Sequence, residues 1–143
     1  MDLQGPVVPC SLSGLEYSML LLDEDTRYRW TYAIKRKNDV LKVFPLWLVL
    51  AERETGRLLI SANSDLGGEF TGMKPFLDSK GIKLIQSPKD KHEMNPTAER
   101  AFGVHSDMIR FMFSLSGVPL TYWPLICASI RYAHSQSSDC EPQ

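Results

Sequence analysis

At 143 residues, with 43% hydrophobic and 23% charged side chains, the chain has the length of one domain and enough apolar content to bury roughly two-thirds of its unfolded surface. A net charge of -1 excludes any argument for a nucleic-acid partner from overall charge; such a partner has to be argued from local residues. Three cysteines, Cys10, Cys127 and Cys140, lie far apart without a CxxC pair, which argues against a disulfide framework and a zinc site and for a reducing compartment.

The longest apolar run, Phe44 to Ala51, is far below the span a bilayer needs, and "MDLQGP" lacks the charged and apolar regions of a signal peptide. The expectation is a soluble, intracellular protein without a membrane partner. "YSMLLLD" reads as a strand ending in the acidic turn "DEDTR", and the alternation of Tyr28, Trp30, Tyr32 and Ile34 with polar or small residues reads as its hairpin partner. Asn38 or Asp39 caps a helix over Val40 to Glu54, in which Pro45 should cause a kink or mark the true start. "RLLISANSD" reads as a buried strand, followed by a helix from about Thr71 to Lys80 closed by Gly81, and then by the strand "IKLIQS".

After the loop "PKDKHEM", Asn95 is a good N-cap with Pro96 at the first helical position, and Ala98, Phe102, Met108, Ile109, Met112 and Leu115 are expected to form the apolar face of a long helix. A last helix restarts after Gly117 and Pro119, and the polar residues 135–143 read as a disordered tail behind a domain of residues 1–134. Trp30, Trp47 and Trp123 are expected in the core, Asp23 to Asp25 in a solvated turn, and His105 on a helix side without catalytic duty. The element order gives α/β layers around a mixed sheet. Its first strand is either truncated or so short that Asp2 stands at its tip.

Acidic residues are 17 of 143, so spacing alone gives an Asp or Glu pair no meaning, and position must carry the argument. Asp65 ends a buried strand, at the edge where open α/β sheets hold ligands, beside Gly67 and Gly68; the competing reading is a turn residue. Glu99 falls in the first turn of the helix opened by Pro96, where the helix dipole favours a carboxylate. Asp2, Asp65 and Glu99 together would offer the oxygen ligands that Mg2+ takes, and two such ions could promote phosphoryl transfer on nucleic acid.

Five motifs in order then resemble the integrase catalytic core of copia-type LTR retrotransposons, of the ribonuclease H-like superfamily. "DLQGP" is similar to a D-x-x-GP start, "LLLDEDTRYRWTYAIKRKNDV" to the block that follows, "SDLGGEF" to SDNGGEF, "NPTAER" to NG-x-AER, and "GVPLTYWPLICASIRYAH" to the closing helix. The resemblance runs from Asp2 to about His134. It implies a three-layer ribonuclease H-like fold with a mixed central sheet flanked by helices, and Asp2, Asp65 and Glu99 as catalytic ligands of two Mg2+ or Mn2+ ions. It also implies 3′-end processing and strand transfer, DNA and further copies of the chain as partners, no small-molecule substrate, and nuclear action. Lys89, Lys91 and Arg100 are candidate phosphate contacts.

The chain departs from the family at Leu66, where the pattern has Asn, and in the loop before Asn95, which lacks the paired glutamines. The helix carrying Glu99 offers only Arg100, His105 and Arg110 as basic groups, and His92, His105 and His134 show no pairing with the cysteines, so the family's zinc module is not expected within these residues. These departures support an alternative, a non-catalytic nucleic-acid- or protein-binding module derived from a decayed or domesticated transposon.

Overall fold

The computed structural model describes residues 1–65, 67–87 and 96–138, with residues 65, 87, 96–102 and 131–138 described by their backbone only. A first strand is present: β1 is Asp2–Gln4, with Asp2 its first residue. It pairs antiparallel with β2 (Tyr17–Leu22) at Asp2↔Leu20, and β2 pairs antiparallel with β3 (Arg29–Ile34) from Tyr17↔Ile34 to Leu22↔Arg29. The expected acidic turn closes this hairpin, with Asp23 accepting from the Thr26 hydroxyl and Arg27 in the left-handed region. Gly5 makes the corner after β1. Its φ is +140°, and a Cβ there would stand 2.7 Å from the Glu16 carbonyl oxygen, so no side chain fits.

The chain then passes a 3-10 turn (Lys37–Asp39) into α1 (Val40–Thr55). Asp39 closes the turn by accepting the Arg36 amide at 2.9 Å. The helix continues through Pro45 instead of starting there. Proline removes the bond to the Leu41 carbonyl, and Leu41 lies on the exposed side, where water can take that acceptor. Val40, Phe44, Trp47, Leu48 and Ala51 form its buried stripe. At its far end Trp30 Nε1 donates to Glu54 (3.4 Å), and Arg57 pairs with Asp25 on the hairpin tip (2.6 Å).

That contact returns the chain to the sheet at the end where β1 begins, so β4 (Ser61–Asp65) runs in the direction of β1. The strand expected from Arg57 starts four residues late. No β5 residue lies opposite residues 57–60, because the ladder begins at Ser61↔Lys83, and Leu58 and Ile60 are each 79% exposed. The single helix expected over 71–80 is two short ones, α2 (Gly68–Thr71) and α3 (Lys74–Ser79), broken at Gly72 and Met73. Gly81 does end α3: at φ +71° its amide bonds to Asp78 and that of Ile82 to Leu77, a paired closure that buries Ile82 beside Leu77. From there β5 (Lys83–Ser87) pairs in parallel with β4.

Two ladders thus stand side by side, β3-β2-β1 and β4-β5, and the Met1 ammonium donates to the Asn63 carbonyl between them (2.7 Å). Alternation sends Met19, Leu21, Trp30 and Ile34 to the face covered by α1 and α3. The other face carries Ser18, Leu20 and Thr31 and meets α4 (Pro96–Ser116) and α5 (Trp123–Ser138). α5 extends past the boundary expected at His134, and residues 139–143 lie outside the described residues. The three tryptophans are buried as expected. No described helix is long and apolar enough to cross a membrane.

The apolar stripe expected on α4 is rotated. His105, Ser106, Ile109, Met112 and Phe113 turn inward, whereas Met108 and Leu115 are exposed. A line through Ala98, Phe102, His105, Ile109 and Met112 follows the 4-3-4-3 spacing of one helical face, and the polar type of His105 hid that line in the sequence.

Candidate metal centre

Asp2 faces the α4 and α5 layer, because its neighbours Met1 and Leu3 pack into the core under α1. Its Oδ1 accepts the Leu3 amide at 2.7 Å; among the described residues Oδ2 has no protein partner. Asp65 closes β4 opposite Ser87 of β5. The Met1–Asn63 bond brings the residue before Asp2 against the strand that ends in Asp65, two residues short of that end. Two carboxylate-bearing positions from distant parts of the sequence thus lie on neighbouring strands.

Glu99 lies in the first turn of α4, with Pro96 at the first helical position as expected; Asn95 is outside the described residues. α4 lies on the face that Asp2 shares. Ser106 Oγ accepts from the Gln4 side chain at 3.4 Å, and His105 Nε2 meets the Thr31 hydroxyl at 3.3 Å. From those contacts Glu99 is about 10 Å back along the helix axis, toward its N-terminus. Arg100 is in the same turn, and Lys89 and Lys91 lie outside the described residues. Among the described residues no group of three His, Cys, Asp or Glu could hold a metal, and the side chains of Asp65 and Glu99 are not among them.

The donor chemistry fits a hard divalent cation: among the described residues one oxygen of Asp2 has no partner, and the strand that Met1 touches ends in a second carboxylate position. Near Asp65, an added Cβ at Gly68 would meet no described atom within 4 Å. The other acidic residue of "SDLGGEF" has a different role. Glu69 reaches Lys37 at 3.9 Å, and Lys37 also sits 6.0 Å from the centre of the Tyr17 ring.

His105 is the residue whose importance the sequence concealed. It is 1% exposed and faces Arg29, and among the described residues its Nδ1 and the Arg29 Nε are buried without a hydrogen-bond partner. Burial first, and the Arg29 charge second, pull its pKa down to about 4, so it is neutral at pH 7. Cys127 on α5 is likewise buried; burial pushes its thiol up to about 11 despite a bond with Ser18, which makes it an unreactive core residue.

No protein-family model matches the chain. It is 32% identical over 124 residues to the Retrovirus-related Pol polyprotein from transposon TNT 1-94 of Nicotiana tabacum, covering 85% of the chain and 9% of that protein. It is 32% identical over 114 residues to the corresponding polyprotein of transposon RE2 of Arabidopsis thaliana, covering 80% of the chain and 8% of the relative. Its homologues are the Pol polyproteins of copia-type retrotransposons. The chain spans less than a tenth of the length of these two relatives.

The fold of this chain is ribonuclease H-like, that of retroviral integrases. It superposes on the simian T-cell lymphotropic virus intasome, in complex with PP2A regulatory subunit B56 gamma, with a TM-score of 0.62 at 15% identity, over 88% of this chain and 46% of the other. On the HTLV-2 integrase catalytic core domain, in complex with magnesium in a trimeric form, the TM-score is 0.59 at 15% identity, over 92% and 82%. Fold class and family resemblance read from the sequence therefore both hold.

Proposed function

We propose that this integrase-like core is a divalent-metal-dependent polynucleotidyl transferase, with Asp2, Asp65 and Glu99 as the ligands and catalytic carboxylates. The observation that supports this reading is the Met1–Asn63 bond, which holds the residue before Asp2 against the strand that ends in Asp65, with the helix of Glu99 on the face Asp2 shares. Two Mg2+ or Mn2+ ions there would activate a water or 3′-hydroxyl and stabilise the leaving oxygen of DNA. The chain's own part is to fix the carboxylates: β1 through its pairing to β2, β4 through its pairing to β5, and α4 through His105 and Ser106. Lys89, Lys91 and Arg100 would hold the DNA backbone, so binding should weaken as salt rises. On this reading the working unit is an oligomer acting on nuclear DNA, and the reactions are 3′-end processing and strand transfer.

Saturating Mn2+ should raise the melting temperature of the purified chain by about 5 °C, and Asp65→Asn should remove that rise. A missing rise in the wild type, or an unchanged one in the variant, rejects the metal site. With element-end oligonucleotides, nicking or joining should disappear in Glu99→Gln. One observation favours the second reading, a non-catalytic binding module: Asp2 already spends Oδ1 on its own backbone. Oligonucleotide binding that is indifferent to Mn2+ and to both substitutions would select it.

A further inference from the structure

α4 packs against α5, and it is α5 that lies along β3. Among the described residues two hydrogen bonds tie α4 to the strands, Ser106 with Gln4 at 3.4 Å and His105 with the Thr31 hydroxyl at 3.3 Å. Ser106 is half-buried and its bond is long, whereas His105 is fully buried, which makes His105 the firmer anchor. It stands six residues from Glu99, about 9 Å along the helix axis. At its other end α4 stops before Gly117, whose φ of +62° turns the chain toward α5.

This anchor works in one protonation state. Nε2 meets Thr31, while among the described residues Nδ1 has no partner, nor has the buried Nε of Arg29, the charge that acts on the ring. A proton on Nδ1 would need an acceptor, and the surrounding elements supply none. β2 brings Ser18, which is engaged with Cys127 of α5, a thiol that burial keeps protonated. β1 brings Asp2, but the pairs Asp2↔Leu20 and Leu20↔Thr31 place it two strands from Thr31, about 10 Å, with Leu20 between. On α4 itself Asp107 and Arg110 are exposed and paired with each other at 3.1 Å. An imidazolium would therefore be buried beside a guanidinium without a described counter-charge, at a cost above what the Thr31 bond contributes. Water relieves that cost once the helix has left the sheet.

We propose that His105 is a proton-operated latch: neutral, it holds the helix of Glu99 on the sheet, and protonated, it releases that helix, which turns away about Gly117 while the strands and α1 stay folded. The strands stay because none of the residues buried with Met19, Leu21, Trp30 and Ile34 under α1 is ionisable. For the metal centre the consequence rests on the function proposed above: acid takes Glu99 away from Asp2 and Asp65. The released ring has the ordinary pKa of 6.5 and the held ring one of about 4, so the hold is complete above pH 6.5 and is lost as pH falls toward 4.

Amide hydrogen exchange of the metal-free full chain, corrected for the intrinsic effect of pH on exchange, reads the latch directly. From pH 7 to pH 5 the opening of residues 103–116 should rise about twentyfold. At pH 5 it should exceed the opening of β2 and β3 by at least about tenfold, because the strands open only on global unfolding. His105→Gln, which cannot take the proton, should hold the rise below about threefold. Arg29→Met keeps the histidine, removes the neighbouring charge and should make the rise smaller than in the wild type. No rise in the wild type, a common opening rate of α4 and the strands at pH 5, or an undiminished rise in both variants each overturns the proposal. The metal reading fails separately: a wild type whose α4 opens in acid, but whose melting temperature ignores Mn2+ at pH 7, keeps the latch and loses the metal site.

Discussion

The two faces of the sheet use the same strands in different ways. Toward α1, Met19, Leu21, Trp30 and Ile34 meet Val40, Phe44, Trp47 and Leu48, with the Trp30 and Trp47 rings edge-on at 5.5 Å and the Phe44 and Trp47 rings at 5.0 Å. Toward α4 and α5, Ser18 and Thr31 meet Cys127 and His105, and the buried Arg29 Nε is near. The first face gains stability from packing, which is indifferent to pH. The second depends on polar groups matched in protonation state, and it is the face that carries Asp2 and the helix of Glu99. A candidate reaction site thus lies over the layer whose stability is more easily changed.

Three measurements break or sharpen this contrast. Phe44→Ala should cost about 3–5 kcal/mol in urea unfolding, because a fully buried ring leaves a cavity that its neighbours fill only in part. A loss below 1 kcal/mol would mean that the α1 face is loosely packed and the contrast false. The next effect is acid sensitivity of the other face. His105 has a folded pKa of about 4 against an ordinary value of 6.5, so its contribution is complete above pH 6.5 and is lost as pH falls toward 4. Between pH 6.5 and 5 the wild type should lose about 1.5 kcal/mol. His105→Gln should flatten that slope, and an equal slope in both would clear His105 of the role. The smallest effect belongs to the surface: Arg57→Ala, which breaks an exposed pair with Asp25, should change stability by less than about 1 kcal/mol.

Much of this architecture was legible because local chemistry and tertiary packing agreed. The alternation after Tyr28 met a real hairpin, Gly81 took the positive φ its position required, and the order of "SDLGGEF" and "NPTAER" identified the family resemblance. Where they disagreed, the sequence misled. Leu58 and Ile60 have strand character, yet β5 begins too late to pair with them, so no local signal could reveal that the strand starts at Ser61. The inward stripe of α4 was hidden because it includes a histidine, a polar type that breaks the apolar pattern, although its spacing from Phe102 and Ile109 puts all three on one helical face. The contact of β1 with the strand that ends in Asp65 could not be read from spacing at all. It depends on a bond between residues 62 positions apart.

That bond also gives the hydrophobic core a duty in the polar site. Strand faces alternate, so a slip of one residue along β1 would turn Met1 and Leu3 out of the core and drive the Asp2 carboxylate in among Met19, Leu21 and Phe44. The penalty for burying that charge far exceeds anything a weak polar contact could enforce. The position of Asp2 is therefore guarded from behind, by oily side chains on the opposite face of β1.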